Sequence, residues 1–315
     1  MFTIADTAGV ANPIAPLAAG DIGERLILAP QAISPHVEDD LIRARIAALS
    51  SQYNTVVLVP SKKAMDRWPT ADRRAFAASA GGENNIQDVV KELKSGSHVG
   101  LVLLANKYDG IDLPQDACRI LVTDGLPESF SGEERLGSLL TSYEAGVDLM
   151  QVQRIEQGMA RGVHSNEDHC VVILLGHLLA QLTVDPRTFG LFSPATQAQL
   201  QASKEVANSL SNRSLTEILD TARQVLNRDQ SWVTFAKRAL NGVVEPRPVL
   251  DAATTRRKAF EAAVFGDLKT SVDLLREAAQ TCDAKTKGWL LEQTATYLDQ
   301  TNPSRAQDVW SKLED

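Results

Sequence analysis

The chain has 315 residues, 43% of them hydrophobic, and a formal net charge of −8. This length predicts one large or two modest domains with a sizeable core. The acidic balance excludes nucleic-acid binding through bulk charge but leaves room for a local basic groove. Three widely spaced cysteines exclude a disulfide framework and predict buried free thiols at Cys118 and Cys170.

The expected compartment follows from what the sequence lacks. No signal-peptide pattern opens the chain, and no apolar run approaches the roughly 18 residues that a membrane span needs. Together with unpaired cysteines, these observations predict a cytoplasmic protein that has no contact with a membrane.

The first part of the chain alternates apolar runs with helical patterns. Strands are expected within residues 21–30 and at 55–59, 99–105, 119–123 and 170–175. Helices are expected between them at residues 38–49, 86–93 and 131–157. This alternation predicts an α/β fold with a parallel, doubly wound sheet.

After Gly176 the strand pattern ends and helix signals take over. Ser193 followed by Pro194 predicts one helix start, and the capping-box pattern from Ser214 to Glu217 predicts another. A break at 245–248 precedes four further helical patterns. These lie at residues 251–265, 268–281, 285–298 and 303–313, and they resemble the antiparallel hairpins of a tetratricopeptide-like array.

The predicted organisation therefore has four parts. Residues 1–20, rich in Ala, Gly and Pro, form a linker or leading segment. Residues 21–192 form the α/β domain, 193–243 a helical extension and 244–315 an all-α helical-hairpin tail.

The stretch 153–176 reads QRIEQGMARGVHSNEDHCVVILLG. A polar helix and a turn precede a buried strand here, which is typical of a phosphate-facing edge of an α/β sheet. The segment resembles motif VI of superfamily 2 helicases, Q-x-x-G-R-x-x-R. Gln157 falls on the Gln and Arg161 on the first Arg, while Ala160 replaces the Gly and His164 the last Arg. An ordinary amphipathic helix with a solvated face is the alternative.

The stretch 100–127 reads GLVLLANKYDGIDLPQDACRILVTDGLP. Its polar loop resembles motif V of the helicases related to nucleotide-excision repair, with Leu113 in place of the usual Phe. Gly110 allows a positive φ or close approach of a ligand, and Asp112 can accept a bond from a ribose or from a neighbouring motif residue. The alternative is a turn with Asx chemistry. The two motifs in the expected order are more specific than either one alone.

Residues 20–235 as a whole resemble the C-terminal, second RecA-like lobe of bacterial DEAD/DEAH-type helicases. In that family ATP binds between two lobes: the first carries the P-loop and the Mg²⁺-binding acids, and the second carries motifs V and VI. The resemblance implies catalytic roles for Arg161, Gln157 and His164. It also implies nucleotide contacts by Asp109, Gly110, Asp112 and Arg154. Arginines supplied across such an interface contribute about 10³–10⁵ in rate.

A strand that ends at Pro60-Ser61 resembles helicase motif IV, and a basic patch follows it. The resemblance implies that Ser61, Lys62 and Lys63 contact single-stranded nucleic acid, with DNA favoured. The patch continues through Arg67, Arg73 and Arg74, which are expected on the same helix. A solvated helix face is the alternative.

Several expected site elements are missing from these 315 residues. There is no P-loop, because the dipeptide Gly-Lys does not occur. The acidic runs 38–40 and 167–169 do not follow strands as a Mg²⁺-binding box does. His164, His169, Cys170 and His177 fit no common zinc spacing, so no metal is expected on this chain alone.

The sequence thus predicts the second lobe of an ATP-dependent nucleic-acid helicase that couples hydrolysis to strand translocation. ATP and Mg²⁺ are shared with a P-loop lobe, either an upstream part of the same protein or a separate subunit. Alone, the chain is expected to be inactive. One alternative is a catalytically inactive, helicase-derived nucleic-acid or protein-binding module, which the loss of the last arginine at His164 favours. Another is a scaffold whose C-terminal helices bind a protein partner.

Overall fold

The computed structural model describes residues 23–77, 86–108, 110–127, 149–163, 165, 167–243, 251–282 and 284–313. These residues form two compact units, 23–243 and 251–313. The first contains all of the described strands, and the second is helical.

The described strands form one six-stranded, wholly parallel sheet in the order β1-β6-β5-β2-β4-β3. They are β1 (Glu24–Leu28), β2 (Thr55–Val59), β3 (Arg73–Ala77), β4 (Leu101–Ala105), β5 (Ile120–Asp124) and β6 (His169–Leu175). The predicted fold class is confirmed: a parallel, doubly wound α/β sheet is followed by an all-helical region.

Helices connect and follow the strands. In the first unit they are α1 (Pro30–Ile33), α2 (Asp39–Leu49), α3 (Lys62–Met65), α4 (Ile86–Lys94), α5 (Leu149–Met159), α6 (His177–Leu182), α7 (Pro186–Phe189), α8 (Pro194–Ser209), α9 (Leu215–Leu226) and α10 (Gln230–Leu240). In the second they are α11 (Asp251–Val264), α12 (Leu268–Thr281), α13 (Ala284–Asp299) and α14 (Pro303–Trp310). The two predicted helix starts are confirmed, since Ser193 caps α8 and Ser214 and Glu217 form a capping box on α9.

Both faces of the sheet are covered, which explains the unbroken apolar runs of its central strands. Every residue of β2 is buried. Val57 and Val59 point into one core with Ile42 and Ile46 of α2. Residues of β2 with the opposite parity pack into a second core with α4 and α5. The hydrophobic effect therefore holds helices against each side of one sheet.

The placement of Arg73 and Arg74 on a helix is wrong. Helix α3 ends after one turn at Met65, and Asp72 then adopts a left-handed φ of 56°. Residues 73–77 form β3, at the end of the sheet beside β4. Arg73 donates to the carbonyls of Met65 and Trp68, and Arg74 pairs with Glu92 of α4. Both arginines therefore stabilise the connection from α3 to the edge strand.

The opposite edge strand, β1, is covered by the helical extension. The amide of Ile27 donates to the Ser203 hydroxyl at 2.9 Å, and the Gln199 amide donates to the carbonyl of Gly23 at 2.9 Å. These two α8 side chains provide the hydrogen bonds that a neighbouring strand would make. Helices α9 and α10 also contribute to the core on this side, so residues 194–240 fold as part of the α/β unit.

The second unit consists of four consecutive helices, each packed against the next. Ala259 of α11, Leu275 of α12 and Leu290 of α13 share one small core. Ala295, Ala306 and Val309 belong to a second core, between α13 and α14. None of the helices in the described parts of the chain is long and apolar enough to cross a membrane.

A buried charge network joins α2, the α3 turn and β5. Asp124, only 2% exposed, receives hydrogen bonds from Arg43 at 2.9 and 3.1 Å and from the Trp68 indole at 2.8 Å. Arg43 also pairs with Asp40, which is exposed at the surface. Asp124 is thus the buried counter-charge of a buried guanidinium.

We expect Asp124→Ala to lower the free energy of unfolding by about 3–5 kcal/mol, because it leaves Arg43 buried without its main partner. The matched control is Asp40→Ala, which removes an exposed partner of the same arginine and should cost less than about 1 kcal/mol. Urea unfolding of both variants measures the difference. Equal losses would contradict this account of the network.

Candidate functional site

The motif IV and motif V segments start at the same edge of the sheet. Ser61 follows β2 and Asn106 follows β4, and these strands are neighbours whose carboxyl ends lie side by side. Ser61 caps the short helix α3 by accepting from the Ala64 amide at 3.3 Å. Lys62 and Lys63 are exposed on its first turn. Ligands of parallel α/β sheets gather at this edge.

The loop after β4 is anchored by apolar side chains. Ile111 and Leu113 are buried, and Gly110 between them and the strand adopts a φ of 73°. A Cβ at Gly110 would meet no atom within 4 Å, so the backbone conformation and not crowding favours glycine there. Asp109 lies outside the described residues.

The motif VI segment is hydrogen-bonded to this loop. Helix α5 continues into a 3-10 turn, Ala160–Gly162. The Arg161 guanidinium donates to the Tyr108 carbonyl and to the Asp112 carboxylate, both at 3.1 Å. In return, the Leu113 amide donates to the Arg161 carbonyl at 3.0 Å. Two segments that the sequence separates by a strand are therefore fixed to each other.

The exposure of these groups differs. The Arg161 side chain is 17% exposed, whereas that of Asp112 is 62% exposed. Arg161 is therefore a half-buried cation whose partner carboxylate is mostly in water. The Tyr108 carbonyl and the Asp112 carboxylate together hold the guanidinium in place.

Helix α5 presents one polar stripe and one buried face. Arg154, Gln157 and Arg161 follow at spacings of three and four, which places them along one side. Gln157 is exposed and Arg154 half-buried. His164, the residue in place of the last motif arginine, lies outside the described residues.

A small residue lets α5 approach the loop closely. A Cβ at Gly158 would lie 3.0 Å from Leu58 and 3.2 Å from the Tyr108 ring. These distances are tighter than ordinary packing, so a side chain at this position would push the helix away from β2 and the loop. Gly158 therefore determines how closely α5, and with it the polar stripe, approaches β2 and the loop.

A buried network that the sequence did not indicate holds the opposite side of α5. Glu156 accepts hydrogen bonds from the Ser193 amide at 3.2 Å and from its hydroxyl. Next to it, the fully buried Arg25 donates to Gln199 and Thr196 of α8. Burial lowers the Arg25 pKa to about 10, while the nearby Glu156 charge opposes that shift. The position of α5 is thus tied to α8.

His169, at the start of β6, is a buried neutral imidazole. Its Nδ1 lies 2.9 Å from the Arg119 guanidinium, so Nδ1 accepts and Nε2 donates to the Leu226 carbonyl at 3.2 Å. Burial, and then the Arg119 charge, lower its pKa from 6.5 to about 4. Protonation would remove the acceptor that Arg119 uses.

Because the unfolded chain binds this proton near pH 6.5 and the folded chain only near pH 4, the free energy of unfolding should fall as the pH drops through that window. The expected slope is at most about 1.4 kcal/mol per pH unit. Denaturant unfolding of the wild type and of His169→Gln, compared at several pH values, isolates this contribution. The exposed His36→Gln is the control, and an unchanged slope in His169→Gln would contradict the assignment.

No group of three or more His, Cys, Asp or Glu side chains in the described ranges is arranged to hold a metal ion. The expectation of buried free thiols is confirmed for Cys118 and Cys170. Burial raises the pKa of the Cys118 thiol well above its ordinary value. These cysteines are therefore core residues.

No protein-family profile matches this sequence, and no curated protein matches it. Among solved structures, an XPD helicase aligns over 54% of this chain and 34% of its own, at 15% identity and a TM-score of 0.38. An apo XPD structure aligns over 56% and 39%, at 16% identity and 0.37. The E. coli DExH-box NTPase HrpB aligns over 93% and 36%, at 13% identity and 0.27. The chain spans about a third of the length of each, and likenesses this weak assign no function.

Proposed function

We propose that this chain acts as the second lobe of an ATP-dependent nucleic-acid helicase and that a P-loop lobe completes its ATP site. The observation that carries the proposal is the set of hydrogen bonds between Arg161 and the loop Tyr108–Leu113. The segment that resembles motif V and the segment that resembles motif VI lie in direct contact. The fold class, a parallel sheet with both segments beside it, agrees with this role.

The residues fit half of a nucleotide site. Arg161 offers a planar, always-charged donor that matches phosphate oxygens, and its contacts with Tyr108 and Asp112 orient it in advance. Its carboxylate partner is largely solvated, and water screens the pair from that side, so a phosphate can compete for the guanidinium. ATP and Mg²⁺ would bring the transferable phosphoryl group and its counter-charge. The groups that cradle them must come from the P-loop lobe.

The same contacts suggest how the two ligands are coupled. Arg161 holds the loop that follows β4, and β4 pairs directly with β2, whose end carries Ser61, Lys62 and Lys63. A shift of Arg161 toward a phosphate would pull on the loop at the edge where nucleic acid is expected. In the proposed cycle, this link transmits the state of the bound nucleotide to the bound nucleic-acid strand.

A second candidate is a helicase-derived binding module without catalysis. His164 in place of the last arginine favours it, because an imidazole is only partly charged at neutral pH and has a shorter reach. The two candidates differ in ATP turnover and agree on nucleic-acid binding.

We expect the purified chain to release no phosphate from ATP, because it lacks a P-loop and Mg²⁺-binding acids. Combined with its P-loop lobe, it should turn over ATP, and Arg161→Ala should lower that rate by about 10³-fold or more. Arg223→Ala, at an exposed arginine of α9 that pairs with Asp220, is the matched control. Turnover by the chain alone, or a complex indifferent to Arg161→Ala, would contradict the proposed lobe. A complex that hydrolyses no ATP but still binds nucleic acid would favour the second candidate.

We expect weak, salt-sensitive binding of single-stranded DNA, partly through Lys62 and Lys63 as phosphate contacts. The double change Lys62→Glu, Lys63→Glu should weaken binding by about 10-fold and lower the salt slope by roughly one for each phosphate that is no longer neutralised. The control is Lys91→Glu, Lys94→Glu, at exposed lysines of α4. Fluorescence anisotropy at several salt concentrations measures both. Equal effects of the two pairs would mean that the patch is only a solvated face.

A further inference from the structure

The helical unit 251–313 carries exposed aromatic side chains that its own cores do not use. Trp289 of α13 is 41% exposed and Phe260 of α11 is 47% exposed. Each has an arginine over its ring. The Arg256 guanidinium lies 4.2 Å from the Trp289 ring centroid, and that of Arg257 lies 5.3 Å from the Phe260 ring centroid.

These two pairs involve helices α11 and α13. Arg256 of α11 stacks on Trp289 and also donates through Nε to Gln293 at 2.9 Å, and both of these partners belong to α13. Side chains of α11 and α13 are therefore in direct contact. Ala259 and Leu290 of the same helices belong to the core, whereas Trp289, Phe260 and Arg257 are exposed and Arg256 is half-buried.

The stretches that hold these two pairs are positively charged, in contrast to the whole chain. Residues 255–261 and 287–292 carry four basic and two acidic side chains, a net charge of +2. Glu261 pairs with Arg257 at 2.8 Å, but both side chains are more than 40% exposed. An ion pair in that setting contributes little, so a phosphate can replace the carboxylate.

The geometry points to a second binding site for single-stranded nucleic acid on α11 and α13, where bases stack on Trp289 and Phe260 while Arg256 and Arg257 meet the phosphates. Aromatic rings bind the π-face of any base, and arginine can stack on a ring through its plane while donating through its edge. The arginines already present at both rings hold them in place for stacking. The choice of polymer rests on the proposed function, whereas the surface itself belongs to the helical unit alone.

The test is anisotropy of a labelled oligodeoxythymidine of about 20 nucleotides with the full chain. Trp289→Ala should weaken binding by about 5- to 100-fold, and Trp289→Phe should keep most of the affinity because a ring remains. The matched control is Trp310→Ala, since Trp310 on α14 is 39% exposed and has no arginine over its ring among the described residues. Circular dichroism confirms that each variant is folded.

Equal affinities for Trp289→Ala and Trp310→Ala would overturn the inference. So would binding of an acidic, leucine-rich peptide that Trp289→Ala abolishes while the oligonucleotide still binds. The Lys62→Glu, Lys63→Glu variant separates this inference from the proposed lobe. If only Trp289→Ala loses affinity for the oligonucleotide, the site on the helical unit is supported and the surface at Lys62 and Lys63 is rejected. If only the lysine variant loses affinity, the surface at the lysines is supported and the site on the helical unit is rejected.

Discussion

The structure depends on burying both faces of a parallel sheet. Water reaches neither face of such a sheet, so every central strand must be buried along its length and every edge must be closed or charged. The closely packed runs of β2, β4, β5 and β6 meet the first demand. Helix α8 meets the second at β1 by lending Ser203 and Gln199 to the strand backbone. The helical extension is therefore a structural requirement of the sheet.

Within that frame, buried polar groups fix positions that apolar packing leaves free. Asp124 sets how α2 and the α3 turn meet β5, and Glu156 sets where α5 meets α8. Hydrophobic contacts are non-directional, but a hydrogen-bonded charge tolerates only a narrow range of geometries. The proposed site benefits because Arg161 projects from a helix that is tied down on its far side.

The parts of the fold that sequence reasoning predicted are those with local signals. The apolar strands, the Ser193 and Ser214 helix starts and the parallel class follow from periodicity and capping. Strand β3 was not predicted because its sequence, RRAFA, has only one large apolar residue and carries two charges. The Arg43–Asp124 pair was not predicted because its partners lie 81 residues apart, beyond the reach of local sequence patterns. For the site, motif resemblance selected the segments, and only the structure shows that Arg161 and Asp112 bond to each other.

The two arginines of β3 have a consequence for the chain when it is alone. Strand β3 lies at the end of the described sheet, where an unpaired backbone is a template for another copy of the same strand. Arg73 and Arg74 point to opposite faces of β3, so two copies that added edge to edge would place two guanidinium groups on each face of the joined strands. Charged side chains on an edge strand discourage the addition of another copy, which is how an exposed strand edge leads to aggregation. The charges that hid this strand from sequence analysis thus also protect it from self-association.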